Sequence, residues 1–565
     1  MNKLANIDYI IFVVYFLVVA SYGYWIYLRK KKATMSTKDF FLAEGSLTWW
    51  AIGASLIASN ISAEQFIGMS GNGFSVGIAV SAYEWIAAVA LIIVAVWFIP
   101  VYLKNKIYTM PQFLKTRYNE TVALIMAVFW LFLYVFVNLT SILFLGALAI
   151  NNLVGAEHFH IIMVALALFA LVITLGGMKV IGYTDVIQVI VLIIGGLATT
   201  WLALTMVSEH FGLGKDALAG FNALMKSSPD HFEMILKKPG PGASQEYINR
   251  YLLLPGITIY FAGQWIINLN YWGCNQYITQ RALGADLKTA RNGILFAGLM
   301  KLMMPVIVML PGIAAYVLYK NGGLQAEMAP GGHFNADNAY SAVLTFLPNG
   351  LKGLSLAALT AAIVASLAGK ANSISTIFTL DIYKKYINKE ADEKKLVWTG
   401  RLTIVVAMLV AIAFTWNDLL GIGGAGGFTF IQKYTGFISP GVFAMFLLGM
   451  FWKRTTGAAA VAGIVTGFAL SIVFNNYAAQ WFGPETWLYT AFPNSNGVYE
   501  IPFQICMGWA FFFTLVVMVI LSLAGPKINP KAFQLDKAMF KLAPSTIVMI
   551  VLTLLILSAL YIRFW

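Results

Sequence analysis

Long apolar runs alternate with short polar segments along almost the whole chain. A run of about 20 apolar residues is long enough to cross a bilayer as an α-helix. About fourteen runs meet this rule: 7–28, 48–71, 76–102, 120–151, 158–177, 180–207, 251–276, 290–320, 341–385, 395–417, 422–451, 456–476, 501–524 and 543–564. The pattern predicts an all-α polytopic membrane protein with about fourteen transmembrane helices. The run 341–385 is too long for one crossing, so we expect it to extend into the cytoplasm.

Composition agrees with this class. Of the 565 residues, 60% are hydrophobic and 11% are charged, whereas a soluble protein carries about 25% charged residues. The two cysteines, Cys274 and Cys506, lie in or beside apolar runs and do not indicate a disulfide framework or a metal site. The first run is too long for a signal peptide and is followed by basic residues, so we interpret it as a retained helix.

The positive charge is concentrated in alternate loops. The formal net charge is +13, which in a soluble protein would raise nucleic acid as a partner. Here the basic residues cluster in short segments on one side of the predicted bundle: 29–32, 104–117, 179, 281–291, 384–395, 453–454 and 527–541. Such segments face the cytoplasm. An even helix count then places both termini outside a plasma membrane, together with the long loops 208–250 and 477–500.

Two of the runs are interrupted by polar or helix-breaking residues. One is 48–71, and the other is 251–276, which contains Pro255-Gly256 and Asn268. They are five runs apart, and an odd offset gives two copies of opposite orientation, as in many transporters. We therefore expect a five-plus-five inverted repeat. The parts are an N-terminal extra helix with a cytoplasmic loop (1–47), the first repeat (48–207), an extracellular loop (208–250), the second repeat (251–451) and C-terminal extra helices (452–565).

Two ionisable residues lie inside apolar runs. Glu84 is in the run 76–102 and Lys301 is in the run 290–320. They form either a structural ion pair between packed helices or a site for polar ligand groups, because ionisable residues at membrane depth are usually functional. A carboxylate accepts and an ammonium donates hydrogen bonds, so together they suit a polyol.

Amide and aromatic side chains on the same stretches favour a polar cavity. The amides are Asn60, Gln65, Asn268 and Gln432, each able to donate and to accept. Their alternative role is hydrogen bonding between helices. Large side chains that can stack on a sugar face or close an exit are Tyr271, Tyr83, Met69 and Phe428, although ordinary bundle packing accounts for any one of them.

A cation site is indicated near the first interruption. Freed carbonyls near Ala58 and Ile61, with the Ser366 hydroxyl, are oxygen ligands of the kind that hard cations prefer. Asp185 either steers a cation or serves as an acid at a helix start, where the helix dipole favours it. No role follows from the sequence for Lys370, Asn372 or Glu64, and we expect the Glu64 side chain to point away from any cavity. Ala362 and Ala365 belong to a run of small residues that favours close helix packing.

The sequence contains no catalytic constellation. There is no phosphate-binding loop for nucleotide hydrolysis and no paired cysteine–histidine ligand set. We therefore predict that the protein is not an enzyme and that an ion gradient drives any uphill transport.

Several short motifs are spread along the chain: Phe40 to Ala43, Ser55 to Gly71, Tyr83-Glu84-Trp85, Tyr271 to Gly273 with Asn275 to Tyr277, Thr376 to Tyr383, and Tyr434 to Gly436 with Ser439 to Gly441. Together they resemble the sodium/solute symporter family, and in particular its sodium/glucose cotransporter branch with the bacterial galactose carriers. The resemblance spans 7–564. It implies fourteen helices, a leucine-transporter-type inverted repeat, and symport of sodium with a monosaccharide by alternating access.

The resemblance also implies roles for individual residues. The implied sugar site is Asn60, Gln65, Glu84, Asn268, Lys301 and Gln432. Tyr271 would be the inner gate, and Met69, Tyr83 and Phe428 the outer lid. The implied sodium site uses the carbonyls of Ala58, Ile61 and Ala362 and the Ser366 hydroxyl, with Asp185 on the release path. Two positions depart from the galactose carriers, because Ala87 and Ala365 replace serines.

Other functions remain open at this stage. The chain is compatible with a sodium symporter for an amino acid, sialic acid or a vitamin, because Lys301 can pair with a carboxylate. A membrane sugar sensor that binds without transport would share the same binding residues. A passive channel is disfavoured by the interrupted helices. The expected partners are a monosaccharide, sodium and the lipid bilayer, with no nucleic acid, and no partner protein is evident from the sequence.

Overall fold

The computed structural model describes residues 4–29, 40–41, 47–154, 158–329, 332, 334–422 and 427–565, without the side chains of 427–430. In the first half of this part of the chain the helices are α1 (Asn6–Arg29), α2 (Trp49–Asn60), α3 (Ser70–Ser75), α4 (Ile78–Lys104), α5 (Met110–Arg117), α6 (Glu120–Val154), α7 (Phe159–Thr174) and α8 (Met178–His210). A π-helical turn, Glu64–Met69, leads into α3.

The second half continues with more helices and one small hairpin. The helices are α9 (Ala217–Ser227), α10 (Gln245–Leu253), α11 (Gly263–Cys274), α12 (Gln276–Leu283), α13 (Leu287–Lys320), α14 (Gln325–Met328), α15 (Ala339–Leu344), α16 (Leu351–Ile387), α17 (Glu393–Trp416), α18 (Gly427–Gly436), α19 (Ser439–Phe451), α20 (Gly457–Phe482), α21 (Phe503–Leu523) and α22 (Pro544–Phe564). Strands β1 (Phe492–Pro493) and β2 (Tyr499–Glu500) pair antiparallel. Short 3₁₀ turns cover Pro229–Phe232, Gly256–Tyr260, Ala336–Asn338 and Lys537–Phe540.

Ten of the described helices are long and apolar enough to cross a membrane. They are α1, α4, α6, α8, α13, α16, α17, α20, α21 and α22. An eleventh span results if Gln245–Tyr260 and Gly263–Cys274, bent by 82°, count as one. The helical, polytopic membrane class is thus confirmed, and the other predicted runs correspond to shorter or broken helices, namely α2 with α3, α7, and α18 with α19.

One predicted run differs from the structure at its start. The run 341–385 is not one helix, because a turn at Gly350 (φ 90°) separates α15 from α16. α16 begins at Leu351 and has 37 residues. At 1.5 Å per residue it is about 55 Å long, longer than the hydrocarbon core of about 30 Å. The predicted extension beyond the membrane therefore stands, although the helix begins later.

α1 is fastened to the start of α16 by one buried carboxylate. Asp8 Oδ1 accepts hydrogen bonds from the amides of Gly350 (2.7 Å) and Gly353 (2.8 Å). A Cβ at Gly353 would lie 2.6 Å from the Asp8 backbone. Helix starts leave amides without intrahelical partners, and here a neighbouring helix supplies the cap.

The loop 208–250 packs on the end of the first interrupted run. Arg250 Nη2 donates to the Val76 carbonyl at 3.0 Å, and Nη1 pairs with Asp230 at 2.7 Å. The buried His231 ring has Nε2 at 3.0 Å from the Phe74 carbonyl. These contacts hold the loop 208–250 against the end of the first interrupted run.

Candidate functional site

The helix break after α2 releases two backbone carbonyls. Ile61 follows α2 with an extended backbone (φ −79°, ψ 103°). In a continuous helix the Ser62 amide would bond the Ala58 carbonyl, but it donates to Gln65 Oε1 at 2.9 Å. The Gln65 amide would likewise serve Ile61, but it donates to the Ser62 carbonyl at 3.1 Å. The polar residues of this run thus end the helix and leave the carbonyls of Ala58 and Ile61 available.

A second break positions the other wall of the site. The 3₁₀ turn Gly256–Tyr260 gives way to α11 across the 82° bend. α11 presents Asn268 and Tyr271, one helical turn apart on the same face. The prediction that the run 251–276 is interrupted is confirmed at Pro255-Gly256, with the bend falling just before Gly263, whereas α11 continues unbroken through Asn268.

A cavity of about 60 Å³ lies between the two broken helices. Its walls include all six residues predicted to bind a polyol: Asn60, Gln65, Glu84, Asn268, Lys301 and Gln432. Small-molecule sites usually measure about 300–1,000 Å³, and this volume has room for only a few water molecules. The walls must therefore move apart before a hexose fits.

Lys301 is the centre of the cavity's hydrogen-bond network. Its ammonium donates to Glu84 Oε2 and to Asn60 Oδ1, and all three side chains are buried. Nζ also lies 5.3 Å from the centroid of the Trp272 ring. Glu84 and Lys301 therefore form an ion pair between packed helices and also line the cavity. A buried pair of this kind is stable only when further hydrogen bonds complete it, and Asn60 supplies one.

The remaining predicted binding residues have distinct local partners. Asn268 Nδ2 donates to the carbonyl (2.9 Å) and to Oε1 (3.1 Å) of Gln264. Gln65 Oε1 holds Ser62, as described above. Gln432, on α18, is half-buried and lines the cavity. Each side chain retains polar atoms that can turn to a ligand hydroxyl.

Of the four predicted gate residues, two line the cavity, one does not, and one has a side chain outside the described residues. Tyr271 receives a hydrogen bond from Asn60 Nδ2 at 2.9 Å and another from the Tyr277 hydroxyl. Tyr83 lines the cavity and accepts from Gln504 Nε2 at 2.9 Å. Met69 is fully buried in the π-helical turn and is not among the cavity-lining side chains. The Phe428 side chain lies outside the described residues.

Two ionisable residues of the cavity wall had no role in the sequence-based prediction. Glu64 and Lys370 both line the cavity, and Lys370 Nζ donates to Glu64 Oε1 at 3.4 Å. The expectation that Glu64 points away from any cavity is wrong, because the helix break turns its carboxylate toward α16. Asn372 is buried and donates to Met178 Sδ at 3.4 Å, away from the cavity wall.

Some residues of the cavity wall belong to the motifs described above but had no predicted role. Trp272, Asn275 and Tyr277 line the cavity, and so does Ala87. Ala87 is one of the two positions where the resemblance expects serine, and its place in the wall makes that departure relevant to ligand choice. Trp272 could have been predicted as a wall residue from its position next to Tyr271 in the sequence.

The predicted cation ligands lie at the end of α2 and on α16, and one hydrogen bond joins the two helices there. Ala58, Ile61, Ala362 and Ser366 are all buried. Ser366 Oγ donates to the Ser59 carbonyl at 3.0 Å, which joins α16 to the end of α2. Oxygen atoms from both helices are therefore close together, as a hard cation requires.

Asp185 does not belong to a helix start. α8 begins at Met178, so Asp185 lies two turns inside the helix, and the helix-start interpretation is wrong. Asp185 Oδ2 accepts from Ser55 Oγ at 2.5 Å and lies 3.9 Å from Arg281 Nη2. Arg281 Nε also donates to Ser55 at 2.8 Å. This buried cluster of three residues joins α2, α8 and α12 and precedes the break in the chain.

Comparisons with known proteins agree with this geometry. A model of the sodium:solute symporter family matches residues 40–467. The chain is 43% identical to the sodium/glucose cotransporter of Vibrio parahaemolyticus, covering 100% of this chain and 99% of that one. It is 33% identical to sodium/glucose cotransporter 1 of Ovis aries, covering 82% of this chain and 71% of the relative.

A solved structure has the same fold. A Na⁺-coupled sialic acid symporter in a substrate-bound outward-open state superposes with a TM-score of 0.75 at 19% identity, covering 93% of this chain and 99% of that one. Broken helices commonly form the ligand site of secondary transporters, and the cavity of this chain lies between two broken helices.

Proposed function

Because the chain belongs to the sodium:solute symporter family, we propose that it is a secondary active symporter that imports a monosaccharide of the glucose or galactose type with sodium. The names of its relatives support the substrate class. The observation that carries the proposal is the first helix break. The same break leaves the Ala58 and Ile61 carbonyls available on one side and presents Asn60 and Gln65 to the polar cavity on the other.

The proposed architecture has fourteen transmembrane helices, with inverted repeats at 48–207 and 251–451 and both termini outside the plasma membrane. The ten long spans, the bent pair and the three shorter or broken runs support this count. The Phe564 carbonyl accepts from the Met234 amide at 2.9 Å, so the C-terminal helix ends beside the loop 208–250. The basic alternate loops support a cytoplasmic location for the opposite side.

In the proposed sugar site, substrate hydroxyls exchange with internal partners. Glu84 and Lys301 satisfy each other within the closed cavity, and a polyol that enters between them accepts from the ammonium and donates to the carboxylate. Asn60 and Tyr271 are joined by a hydrogen bond, so binding at Asn60 reaches the inner gate directly. Because hydrogen bonds are exchanged more than gained, we expect a modest affinity.

In the proposed sodium site, the ion bridges α2 and α16. The ligands are the carbonyls of Ala58, Ile61 and Ala362 and the Ser366 hydroxyl, and Asp185 lies on the release path. An ion that binds both helices holds the break in the shape that the sugar requires, and the sugar reciprocally favours the ion. Ala365 contributes no hydroxyl, so this site has fewer side-chain oxygens than a site with two serines.

The driving force is sufficient for uphill transport. One charge that moves through about 100 mV contributes about 2.3 kcal/mol, and a tenfold sodium gradient contributes about 1.4 kcal/mol. Together they sustain a sugar gradient of roughly 500-fold at one-to-one coupling.

The experiment is uptake of labelled glucose and galactose into proteoliposomes with and without an inward sodium gradient. We expect saturable uptake that requires sodium and exceeds equilibrium. Glu84→Ala and Gln432→Ala should abolish uptake in folded protein. Sodium-independent uptake, or uptake only of charged solutes, would reject the proposal, and binding without flux would identify a sensor instead.

A further inference from the structure

A groove on the outer surface of the bundle shares no lining residue with the central cavity. It has a volume of about 320 Å³, and its lining comes from α1, α7, α8 and α17. The apolar lining includes Val19, Gly23, Val172 and Val180. One charged side chain, Arg401, completes the wall.

The groove runs along the last turns of α1 and beside the first turns of α17. Its α1 wall extends from Val19 to Tyr27, about 12 Å along the helix axis. α1 ends two residues later at Arg29. Arg401 lies eight residues into α17, also about 12 Å from the helix start. Both walls thus place the groove in the leaflet next to the basic loops, and Arg401 near the boundary between headgroups and hydrocarbon.

Glycines allow the helices behind the groove to approach each other closely. A Cβ at Gly23 would lie 3.2 Å from the Thr184 side chain, and a Cβ at Gly176 would lie 2.8 Å from Val180. α1 and α8 therefore approach closely behind the groove. The outer rim is formed by side chains that face the membrane, because Tyr24 and Val172 are each 64% exposed.

Arg401 lacks an anion among the residues that the structure describes. Its guanidinium lies 5.8 Å from the ring centroid of Phe40. Its Nε is buried, and no described residue forms a hydrogen bond with it. A buried donor at membrane depth is costly unless it is bonded, and guanidinium groups bind phosphate through two parallel hydrogen bonds.

We propose that this groove binds one anionic phospholipid of the cytoplasmic leaflet, with its phosphate on Arg401 and an acyl chain along Val19, Gly23 and Val172. The basic loops on the same side raise the local concentration of anionic lipid. The apolar walls accept the chain, and the lone guanidinium selects for negative charge in the headgroup.

The test is native mass spectrometry of the full-length protein in detergent, titrated with phosphatidylglycerol or with phosphatidylcholine of the same acyl chains. We expect the protein to bind one phosphatidylglycerol molecule with high affinity. Arg401→Gln should weaken its binding about tenfold or more and leave phosphatidylcholine unchanged. Val172→Trp, which fills the groove from its exposed rim, should weaken both lipids.

Two controls make the result specific. Lys395→Gln removes an exposed cation in the first turn of α17 and should leave lipid selectivity unchanged. Asp39→Asn removes the carboxylate that precedes Phe40 in the sequence and should also leave it unchanged. The proposal is overturned if Arg401→Gln does not reduce the preference for phosphatidylglycerol, or if Asp39→Asn strengthens phosphatidylglycerol binding, because the guanidinium would then already be paired with that carboxylate.

Discussion

The Lys370 ammonium donates to the Glu64 carboxylate at 3.4 Å and lies 5.2 Å from the ring centroid of Tyr277. Lys370 is one helical turn after Ser366 on α16, and Glu64 begins the π-helical turn that follows the break. This ion pair therefore connects the helix of the proposed sodium site with the helix of the proposed sugar site, and it borders the tyrosine pair of the proposed gate.

The first prediction concerns this pair. Lys370→Gln and Glu64→Gln should each destabilise the protein by about 3–5 kcal/mol, because each leaves an uncompensated buried charge. The double variant should recover part of that loss, since neither charge is left alone. Thermal unfolding of all four forms in the same detergent measures the coupling. Strictly additive effects of the two substitutions would mean that the two residues do not interact.

The second prediction concerns ligand number at the proposed sodium site. Ser366→Ala should raise the sodium concentration for half-maximal uptake at least about tenfold, since it removes the only side-chain oxygen proposed there. Ala365→Ser should lower it by supplying another. Ser375→Ala is the control, because that hydroxyl donates to Gly400 on the far side of α16 (2.8 Å). An unchanged sodium activation curve in Ser366→Ala would remove this residue from the site.

The third prediction concerns the choice of sugar. Ala87→Ser places a hydroxyl in the cavity wall, within the group that lines the proposed sugar site. A new hydrogen bond of about 1 kcal/mol should change the ratio of the KM values for glucose and galactose several-fold. Ala88→Ser, one residue along and outside the lining, should not change that ratio. Equal ratios in wild type and Ala87→Ser would place the sugar elsewhere in the cavity.

The fourth prediction concerns the Asp185–Arg281 cluster. Arg281 Nε donates to Ser55, and Ser59 Oγ lies 3.2 Å from where a Cβ at Gly369 would stand, next to Arg281 Nη2. Arg281→Gln should loosen the packing of this cluster around Ser59, because Asp185 loses its nearby cation. In a Ser59→Cys background the introduced thiol should then react faster with a membrane-impermeant maleimide applied to the side of the basic loops. The native thiols are buried, so background labelling should be low. An equal rate with and without Arg281→Gln would mean that the cluster does not restrict access to Ser59.

The fifth prediction concerns pH. A hydrogen bond from His231 and the ion pair with Arg250 hold the pKa of Asp230 below its ordinary value of 3.8. The carboxylate therefore stabilises the docked loop at pH values above about 4. This contribution is lost as the pH falls toward the lowered pKa. Because Asp230 is half-exposed, the effect should be at most about 1 kcal/mol.

The measurement is the unfolding temperature from pH 3 to pH 7 of the wild type and of Asp230→Asn. The difference between them should be constant at neutral pH and should shrink below about pH 4. Asp216→Asn is the control, since Asp216 caps α9 and asparagine caps a helix equally well. A difference that grows in acid would contradict the assignment.

The parts of the site that sequence reasoning found are those that carry a local cost. Asn60, Glu84 and Lys301 are conspicuous because polar groups inside an apolar run are expensive, and the structure brings them into contact. The helix breaks were found for the same reason. Pairing across long separations has no such local signal, so the contact of Glu64 with Lys370 was not predicted.

The missed turn between α15 and α16 has a similar origin. Leu347-Pro348-Asn349-Gly350 interrupts an otherwise apolar run, and hydropathy averaged over a span does not register so short a segment. The assignment of Asp185 to a helix start failed because α8 begins earlier, at Met178, after Gly177 with φ 81°. Helix boundaries depend on local backbone conformation, which apolar periodicity alone does not specify.

The cap that Asp8 provides on α16 has a consequence for any rocking motion of the bundle. A carboxylate bonded to two amides across a close backbone contact does not slide, so α1 and α16 move as one body or remain still as one body. The first helix, although outside the proposed repeats, is then a mechanical extension of the helix that carries Ser366.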